Sequence, residues 1–213
     1  MLTAWPTLAS KPVESTLTGC VMDGAFYATQ KTIAYRMAPK GVDLAPLEGK
    51  SVRMKGWLSP GDAFELGQGE RPVVLAATCS QNDRHLILHE QVIRLRVDAT
   101  HAVQANDLES ATKLMAAAMA LDPPPECDTF TDRAKLLMAK DDVEGALKDV
   151  AVITARKCRG AQLNYLLLQD LAALLTPKHQ PQARQLLQLA LKMCDGGELC
   201  LEALKKDLKA LGP

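Results

Sequence analysis

The 213-residue chain carries no net charge and few aromatic side chains. Its 25 basic residues are balanced by 25 acidic ones, and phenylalanine, tyrosine and tryptophan together make up 4% of the sequence. Nucleic acids and anionic membranes attract proteins through basic surfaces, and single-stranded nucleic acids also stack on aromatic rings. The composition therefore argues against nucleic acid or an anionic membrane as the main partner.

Two further absences concern membranes and export. The sequence contains no run of 18 apolar residues, so we predict no transmembrane segment. Its start, MLTAWPTLASKPVES, has neither a basic end nor a continuous apolar stretch, and so does not form an intact signal peptide. We expect the trimmed start of an exported protein, with residues 1–13 as a flexible lead-in. A lipid anchor in the full-length form is compatible with this expectation.

The motifs of catalysis and metal binding are also missing. The chain has no Gly-x-Ser-x-Gly elbow and no phosphate-binding glycine loop between a strand and a helix. His85 and His89 could share one helix face, but no third ligand stands at a recognisable spacing, so a polar helix start in solvent is the simpler interpretation. Asp141 and Asp142 are interpreted as a helix N-terminus. We predict no enzyme, no cofactor and no metal.

Residues 14–83 have the pattern of a small all-β domain. Strand-forming residues fill 15–22 and 25–37. Asp23-Gly24 between them favours the positive φ of a tight hairpin turn, so the two stretches are predicted to pair antiparallel.

The second half of this domain contains two further predicted strands. Ser51–Leu58 alternates apolar and polar residues, as a half-buried strand does. Pro72–Cys79 is a short apolar run, bounded like a central strand. The turn-rich stretches 38–46 and 59–71 are predicted loops.

The phrase LEGKSVRMKGWL, followed by a loop and VVLAATC, resembles the closing strands of OB-like barrels of exported bacterial proteins. The resemblance implies a small closed β-barrel. It also implies an alternative function, in which the barrel binds a ligand or single-stranded nucleic acid and the helices only support it. In that alternative Trp57, Tyr27 and Tyr35 would form an exposed platform.

Residues 84–213 have a helical period. Apolar residues recur every three or four positions from His85, after a polar boundary at 80–84, and Asn106-Asp107 ends this first helix and caps the next. Three later segments align on Ala111, Ala146 and Ala183, which are 35 and 37 residues apart. The segments are 108–123, 143–158 and 180–195, and the helix-length stretches before them are 88–105, 127–140 and 160–176.

This spacing resembles that of tetratricopeptide repeats, which have two antiparallel helices in about 34 residues. The small residues and the terminal proline that match the family pattern are Ala99, Ala111, Ala118, Pro123, Ala134, Ala146, Ala183 and Ala190. Ile153 departs from it at a small position, and Tyr165 lies one residue off the register of the aromatic that often starts a unit. The predicted fold is therefore α+β in separate domains, an OB-like barrel followed by a tetratricopeptide-like stack. A plain irregular helical bundle is the competing interpretation.

The last stretch, Glu198–Leu211, is amphipathic, with leucines on one face and lysines opposite. A terminal helix with a polar outer face is typical of the cap of a helical stack. Basic amphipathic helices can also lie on membranes, but the neutral chain favours the cap.

Six cysteines are spread along the chain without the two-residue spacing of a zinc knuckle or redox dithiol. Barrel closure favours a Cys20–Cys79 disulfide, hairpin geometry favours Cys127–Cys158, and the turn between two helices favours Cys194–Cys200. A Cys158–Cys194 pair stays open, as do six reduced thiols in a cytoplasmic protein. Disulfides would place the protein in the periplasm or at the outer membrane.

The tetratricopeptide resemblance implies a concave groove, lined by the first helix of each unit, in which a partner peptide lies. By register, its predicted lining is Arg96, Thr100, Gln104, Asp128, Thr131, Lys135, Tyr165 and Leu168, although core positions for Tyr165 and Leu168 are the competing interpretation. The predicted function is a non-catalytic interaction or scaffold protein of the bacterial cell envelope, whose partner is another protein or peptide. An accessory partner of a secreted effector is also compatible with the sequence.

Overall fold

The structure is a computed structural model that describes residues 11–59, 63–121, 127–155, 165–176, 178–194 and 198–212. The chain divides into two compact units, Met1–Gln91 and Val92–Pro213. The strands lie in the first unit and nearly all of the helices in the second. The predicted α+β architecture, with a barrel followed by helices, is confirmed.

The described residues of the first unit contain six strands, besides a 3-10 helix at Ala45–Leu47 and the start of the first α-helix. The strands are β1 (Val13–Met22), β2 (Ala25–Thr29), β3 (Ala34–Lys40), β4 (Ser51–Ser59), β5 (Ala63–Leu66) and β6 (Val73–Ala76). The order β1-β2-β3-β5-β4 closes on itself because β1 also pairs with β4, and β6 adds to β4 outside this ring. Of these pairs, β3 and β5 run parallel and the others antiparallel. The result is a closed five-stranded barrel, consistent with the OB-like resemblance.

The predicted hairpin at Asp23-Gly24 is confirmed. β1 and β2 pair up to Met22 and Ala25, and the two turn residues have φ angles of 51° and 69°. The Glu48 carboxylate accepts hydrogen bonds from the amides of Asp23 and Gly24, at 2.8 and 3.1 Å. Glu48 therefore holds the turn from a distant part of the chain.

The prediction of one continuous strand over 25–37 is wrong. The structure has two antiparallel strands, β2 and β3, joined by a turn in which the Gln30 amide donates to the Ile33 carbonyl at 2.9 Å. The turn contains no glycine or proline, and its β-branched Thr32 and Ile33 favour a strand locally. Pairing across the sheet overrides that local preference.

Two other strand predictions are also corrected. β5 lies in the predicted loop 59–71, and its four residues are too few to show a period of two. β6 lies in the apolar run predicted as a central strand, but it pairs only with β4 among the described strands. Its Val73, Val74 and Leu75 are 46–47% exposed. An apolar run without alternation does not show which of its sides is buried.

The barrel interior is one apolar cluster. Its fully buried members are Val21, Phe26, Ala28, Met37, Val52, Met54 and Phe64. Gly19 lets two strands approach β1 at once, because it stands opposite Ala28 of β2 and Val52 of β4. A Cβ at Gly19 would lie 1.9 Å from the Tyr27 carbonyl oxygen, so only glycine fits there.

The predicted Cys20–Cys79 disulfide is confirmed, with Cα atoms 5.8 Å apart. It joins β1 to the segment after β6, within a second apolar cluster that also contains Tyr27 and Ile87. β6 itself does not pair with β1. The Cys79 amide instead donates to the Gly49 carbonyl at 2.9 Å, which brings Cys79 to β1.

In the part of the chain that the structure describes, seven α-helices follow the barrel. They are α1 (Gln81–Gln104), α2 (Leu108–Ala120), α3 (Cys127–Ala139), α4 (Val143–Ala155), α5 (Tyr165–Leu175), α6 (Gln180–Met193) and α7 (Glu198–Ala210). None of these described helices has the length and apolarity that crossing a membrane requires.

α1 begins at Gln81, inside the stretch 80–84 that was predicted as a polar turn. The Ser80 hydroxyl accepts a hydrogen bond from the Asp83 amide at 3.0 Å and donates to the Asp83 carboxylate at 2.7 Å. These polar residues therefore form a helix N-cap with a reciprocal contact. The predicted cap at Asp107 is confirmed, since its carboxylate accepts from the Ser110 amide at 3.0 Å.

The helices pack in successive pairs. α3 packs chiefly on α4 and α5 on α6, while α3 also contacts α5 and α4 contacts α6. The aligned small residues are all completely buried: Ala111, Ala118, Ala134, Ala146, Ala183 and Ala190. The prediction that these alanines lie where helices pack closely is confirmed.

An ion pair joins α3 to α4. Arg133 Nε donates to Asp149 Oδ2 at 2.8 Å, and the Asp149 side chain is 2% exposed. The hydrogen bond to Asp149 raises the pKa of the Arg133 guanidinium above its ordinary value. Since both partners are charged and one is buried, removing either would leave an uncompensated charge.

α7 packs on the end of the helical unit through Leu204, which is completely buried, while Lys205, Lys206 and Lys209 are exposed. The predicted Cys194–Cys200 disulfide, with Cα atoms 6.1 Å apart, joins it to the end of α6. The predicted Cys127–Cys158 pair lies outside the described residues because Cys158 does.

Candidate functional site

A cavity of about 600 Å³ opens between α1 and α3. Its two walls come from these helices, and Met115 of α2 lies at its base. All of its lining residues belong to Val92–Pro213, so the cavity is a feature of the helical unit alone. We call it the α1–α3 groove.

α1 presents one helical face to the groove. Ile93, Val97, Thr100 and Gln104 line it at intervals of three or four residues, the spacing that aligns side chains on one side of a helix. Ile93 is 43% exposed and Val97 is 46% exposed. Ile93 and Val97 therefore give this wall exposed apolar surface, and Thr100 and Gln104 add polar groups.

Arg96 links the two walls. Its Nε donates to Asp132 Oδ2 at 2.8 Å, and one of its terminal nitrogens lies 2.8 Å from the same oxygen and 3.6 Å from Asp128 Oδ2. The side chains of Arg96 and Asp132 are each 12% exposed. Breaking so shielded a pair would leave a poorly solvated charge, which is unfavourable. The Arg96 guanidinium is therefore held in its ion pair with Asp132.

Lys135 forms the second ion pair of the groove. Its Nζ lies 2.9 Å from Asp170 Oδ2 on α5, and the two side chains are 23% and 67% exposed. Ala99, Met115 and Leu136, at most 3% exposed, also line the groove. The groove thus combines a buried apolar base, two exposed apolar side chains and paired charges.

Five of the eight residues that were predicted to bind a partner line this one cavity. They are Arg96, Thr100, Gln104, Asp128 and Lys135. Helical register therefore identified most of the groove residues that were predicted on α1 and α3.

Three predicted residues lie elsewhere. Thr131 and Leu168 are completely buried, and the Thr131 hydroxyl donates to the Cys127 carbonyl at 3.1 Å. Tyr165 is half-buried against the core of the helical unit. The assignment of Thr131 and Leu168 to a ligand surface is corrected, because the helical register did not distinguish the groove face from the core face.

The sequence predictions missed Ile93, Val97 and Asp132. A signal for all three was present, since Ile93 lies three residues before Arg96, Val97 three before Thr100, and Asp132 four after Asp128. Residues at these intervals are neighbours on a helix surface. Extending the same stripe by one turn would have identified them.

The aromatic platform of the alternative barrel function is not formed as predicted. Tyr27 is 3% exposed, and its hydroxyl accepts a hydrogen bond from Gln91 Nε2 at 3.0 Å. Tyr35 and Trp57, 39% and 46% exposed, lie on β3 and β4, and β5 separates these strands. Burial of Tyr27 beneath α1 therefore removes one ring from any stacking surface.

The polar residues that were considered as metal ligands or catalytic groups have the surroundings of ordinary helix residues. Within the described ranges, no group of three or more His, Cys, Asp or Glu is placed to hold a metal. His85 is exposed and His89 is half-buried on α1. The Asp142 carboxylate accepts from the Gly145 amide at 2.9 Å, as a helix N-terminal residue does.

No protein-family model matches the chain, and no curated protein matches it.

Proposed function

We propose that this protein is a non-catalytic interaction or scaffold protein that binds a partner protein through the α1–α3 groove. The observation that carries the proposal is the exposure of Ile93 and Val97, 43% and 46%, within a cavity of about 600 Å³. Apolar side chains exposed in a concave site gain free energy when a ligand removes them from water. The polar residues beside them, Thr100 and Gln104, supply hydrogen-bonding groups that can orient a peptide.

We also propose that the helical unit is a divergent tetratricopeptide-like stack. The pairwise packing of α3 with α4 and of α5 with α6 supports this, as do the buried alanines 111, 146 and 183. In that family the first helices of the units line the ligand groove, and under this proposal α1 and α3 would be the first helices of the first two units. A peptide segment of a partner protein is the ligand that such a groove implies.

The bacterial cell envelope is the compartment that we propose. The disulfides seen among the described residues, Cys20–Cys79 and Cys194–Cys200, indicate an oxidising environment. The periplasm and the surface of the outer membrane that faces it provide that environment. The partner would then be an envelope protein.

A pair of matched substitutions tests the binding role. Val97→Asp places a carboxylate on the apolar wall of the groove, where it would oppose burial by a ligand. Val73→Asp is the control, because Val73 is 47% exposed on β6 and does not line the groove. Each variant and the unchanged protein would capture partners from a cell-envelope extract, after thermal unfolding has shown that both variants fold.

The proposal predicts a protein that the unchanged chain and the Val73→Asp variant retain and the Val97→Asp variant loses. Retention of the same proteins by all three baits would contradict it. Loss from both variants would contradict it too, because Val73 lies outside the groove.

A further inference from the structure

We infer that the α1–α3 groove selects a peptide segment that is apolar and uncharged, and that it does not recognise a charged side chain or a terminal carboxylate of its partner. This inference rests on the proposed function, since it specifies the chemistry of the ligand. Two cationic and two anionic side chains line the groove: Arg96, Lys135, Asp128 and Asp132. The charges of these four residues balance; Arg96 pairs with Asp132, and Lys135 pairs with Asp170 of α5, which is not one of the four.

Arg96 is not available to an acidic ligand. Its two contacts of 2.8 Å with Asp132 Oδ2 lie in a site where both side chains are 12% exposed. A ligand carboxylate could take the guanidinium only by displacing Asp132, which would leave that carboxylate shielded and without a cation. A basic ligand faces the reverse obstacle, because it would have to compete with Arg96 for Asp132 and Asp128, and near Asp170 it would meet the positive charge of Lys135.

Lys135 is no more available to an acidic ligand than Arg96 is. Its ammonium lies 2.9 Å from Asp170 Oδ2, and the lysine side chain is 23% exposed. The more exposed member of this pair is Asp170, at 67%. A ligand carboxylate near Lys135 would therefore also meet the negative charge of Asp170, which opposes its binding.

The favourable free energy must come from the apolar surface. Ile93 and Val97 are nearly half exposed, and the buried Met115 and Leu136 lie beside them in the groove. Both exposed side chains are β-branched and already restricted at χ1 in a helix, so little side-chain entropy is lost when a ligand covers them. Binding of this kind depends little on ionic strength, because salt screens charges and not apolar contacts.

The test uses a phage-displayed library of random dodecapeptides as the probe. Selection on the immobilised full chain, followed by removal of clones that also bind the Val97→Asp variant, isolates peptides that need the apolar wall. The inference predicts that these peptides bind the Val73→Asp control as well as the unchanged protein. They should contain Asp, Glu, Lys and Arg less often than the starting library. Their dissociation constants should change by less than about twofold between about 0.05 and 0.5 M salt.

Two results would overturn the inference, and they have different consequences. Peptides that need Val97 but are enriched in acidic or basic residues, with steep salt dependence, would refute the neutral ligand and leave the proposed peptide groove in place. A selection that yields no peptide sensitive to Val97→Asp would refute the peptide groove and this inference together.

Discussion

Two single residues contribute to this fold in different ways, Gly19 by the absence of a side chain and Asp107 by its charged carboxylate. Gly19 stands between two neighbouring strands, opposite Ala28 and Val52. Asp107 caps α2 with a carboxylate that accepts from the Ser110 amide. The first position has no room for a side chain, whereas the second holds a carboxylate that accepts a hydrogen bond from a backbone amide.

Gly19→Ala should destabilise the barrel by about 3 kcal/mol, at the upper end of the range for overpacking. The added Cβ would lie 1.9 Å from the Tyr27 carbonyl oxygen, and this backbone atom cannot move without disturbing the β1–β2 ladder. Gly67→Ala is the control, since the nearest atom to its Cβ would be Cγ of the flexible Glu70 at 2.9 Å. Urea unfolding measures the free energy of unfolding of both variants. Equal losses of stability in the two variants would contradict the role given to Gly19.

Asp107 should make the stability of α2 depend on pH. Hydrogen bonds from the Ser110 hydroxyl and amide lower the pKa of the Asp107 carboxyl below its ordinary value. A carboxyl whose pKa is lower in the folded state adds stability above its unfolded pKa, and this stability is lost as the pH falls through the folded pKa. Asp107→Asn keeps an acceptor oxygen but no charge, and so should be less stable than the unchanged protein at about pH 7 and equally stable near pH 2.

Urea unfolding of the unchanged protein and of the Asp107→Asn variant at the two pH values tests this prediction. An advantage of Asp107 that stays the same in acid would contradict the role of its charge.

Elements were predictable from sequence where their pattern was long. α2, α4 and α6 share aligned alanines, and their period extends over more than three turns. β5 has four residues, of which Phe64 is completely buried, so no alternation could appear. The turn at 30–33 was missed because Thr32 and Ile33 have strand propensity, and only pairing between β2 and β3 shows where the chain reverses.

The disulfides Cys20–Cys79 and Cys194–Cys200, which lie in the described part of the chain, should stabilise the protein unequally. In the chain-entropy model the constraint grows with the loop closed, and the bridges span 59 and 6 residues. Replacing both cysteines of Cys20–Cys79 by alanine should cost about 4 kcal/mol, against about 2 kcal/mol for Cys194–Cys200. Denaturant unfolding of the two double variants gives the comparison, and a larger loss at Cys194–Cys200 would contradict it.

The packing of α7 on the helical unit should depend on its buried residue Leu204. Leu204→Ala removes a completely buried side chain and should cost about 2–5 kcal/mol. Leu199→Ala is a control on the same helix, because Leu199 is 85% exposed and should lose almost nothing. Thermal unfolding measures both variants. A similar loss at the two positions would show that α7 is not packed through Leu204.

At the scale of the whole molecule, each unit has its own core; the described disulfide Cys20–Cys79 lies in the first unit and Cys194–Cys200 in the second. The candidate site belongs to the second unit alone. Sequence register placed Arg96, Thr100 and Lys135 on it because periodicity identifies the side of a helix. Periodicity could not tell that Thr131 and Leu168 face the core, since that depends on which neighbouring helix packs against each side.

Site-specific photocross-linking in intact cells tests the central claim most directly. A photoreactive residue, p-benzoylphenylalanine, would replace Val97 in the groove in one strain and Val73 on β6 in another; both valines are 46–47% exposed. The account predicts an adduct with a discrete partner protein from position 97 and none from position 73. No adduct from position 97, or the same adduct from both positions, would contradict it.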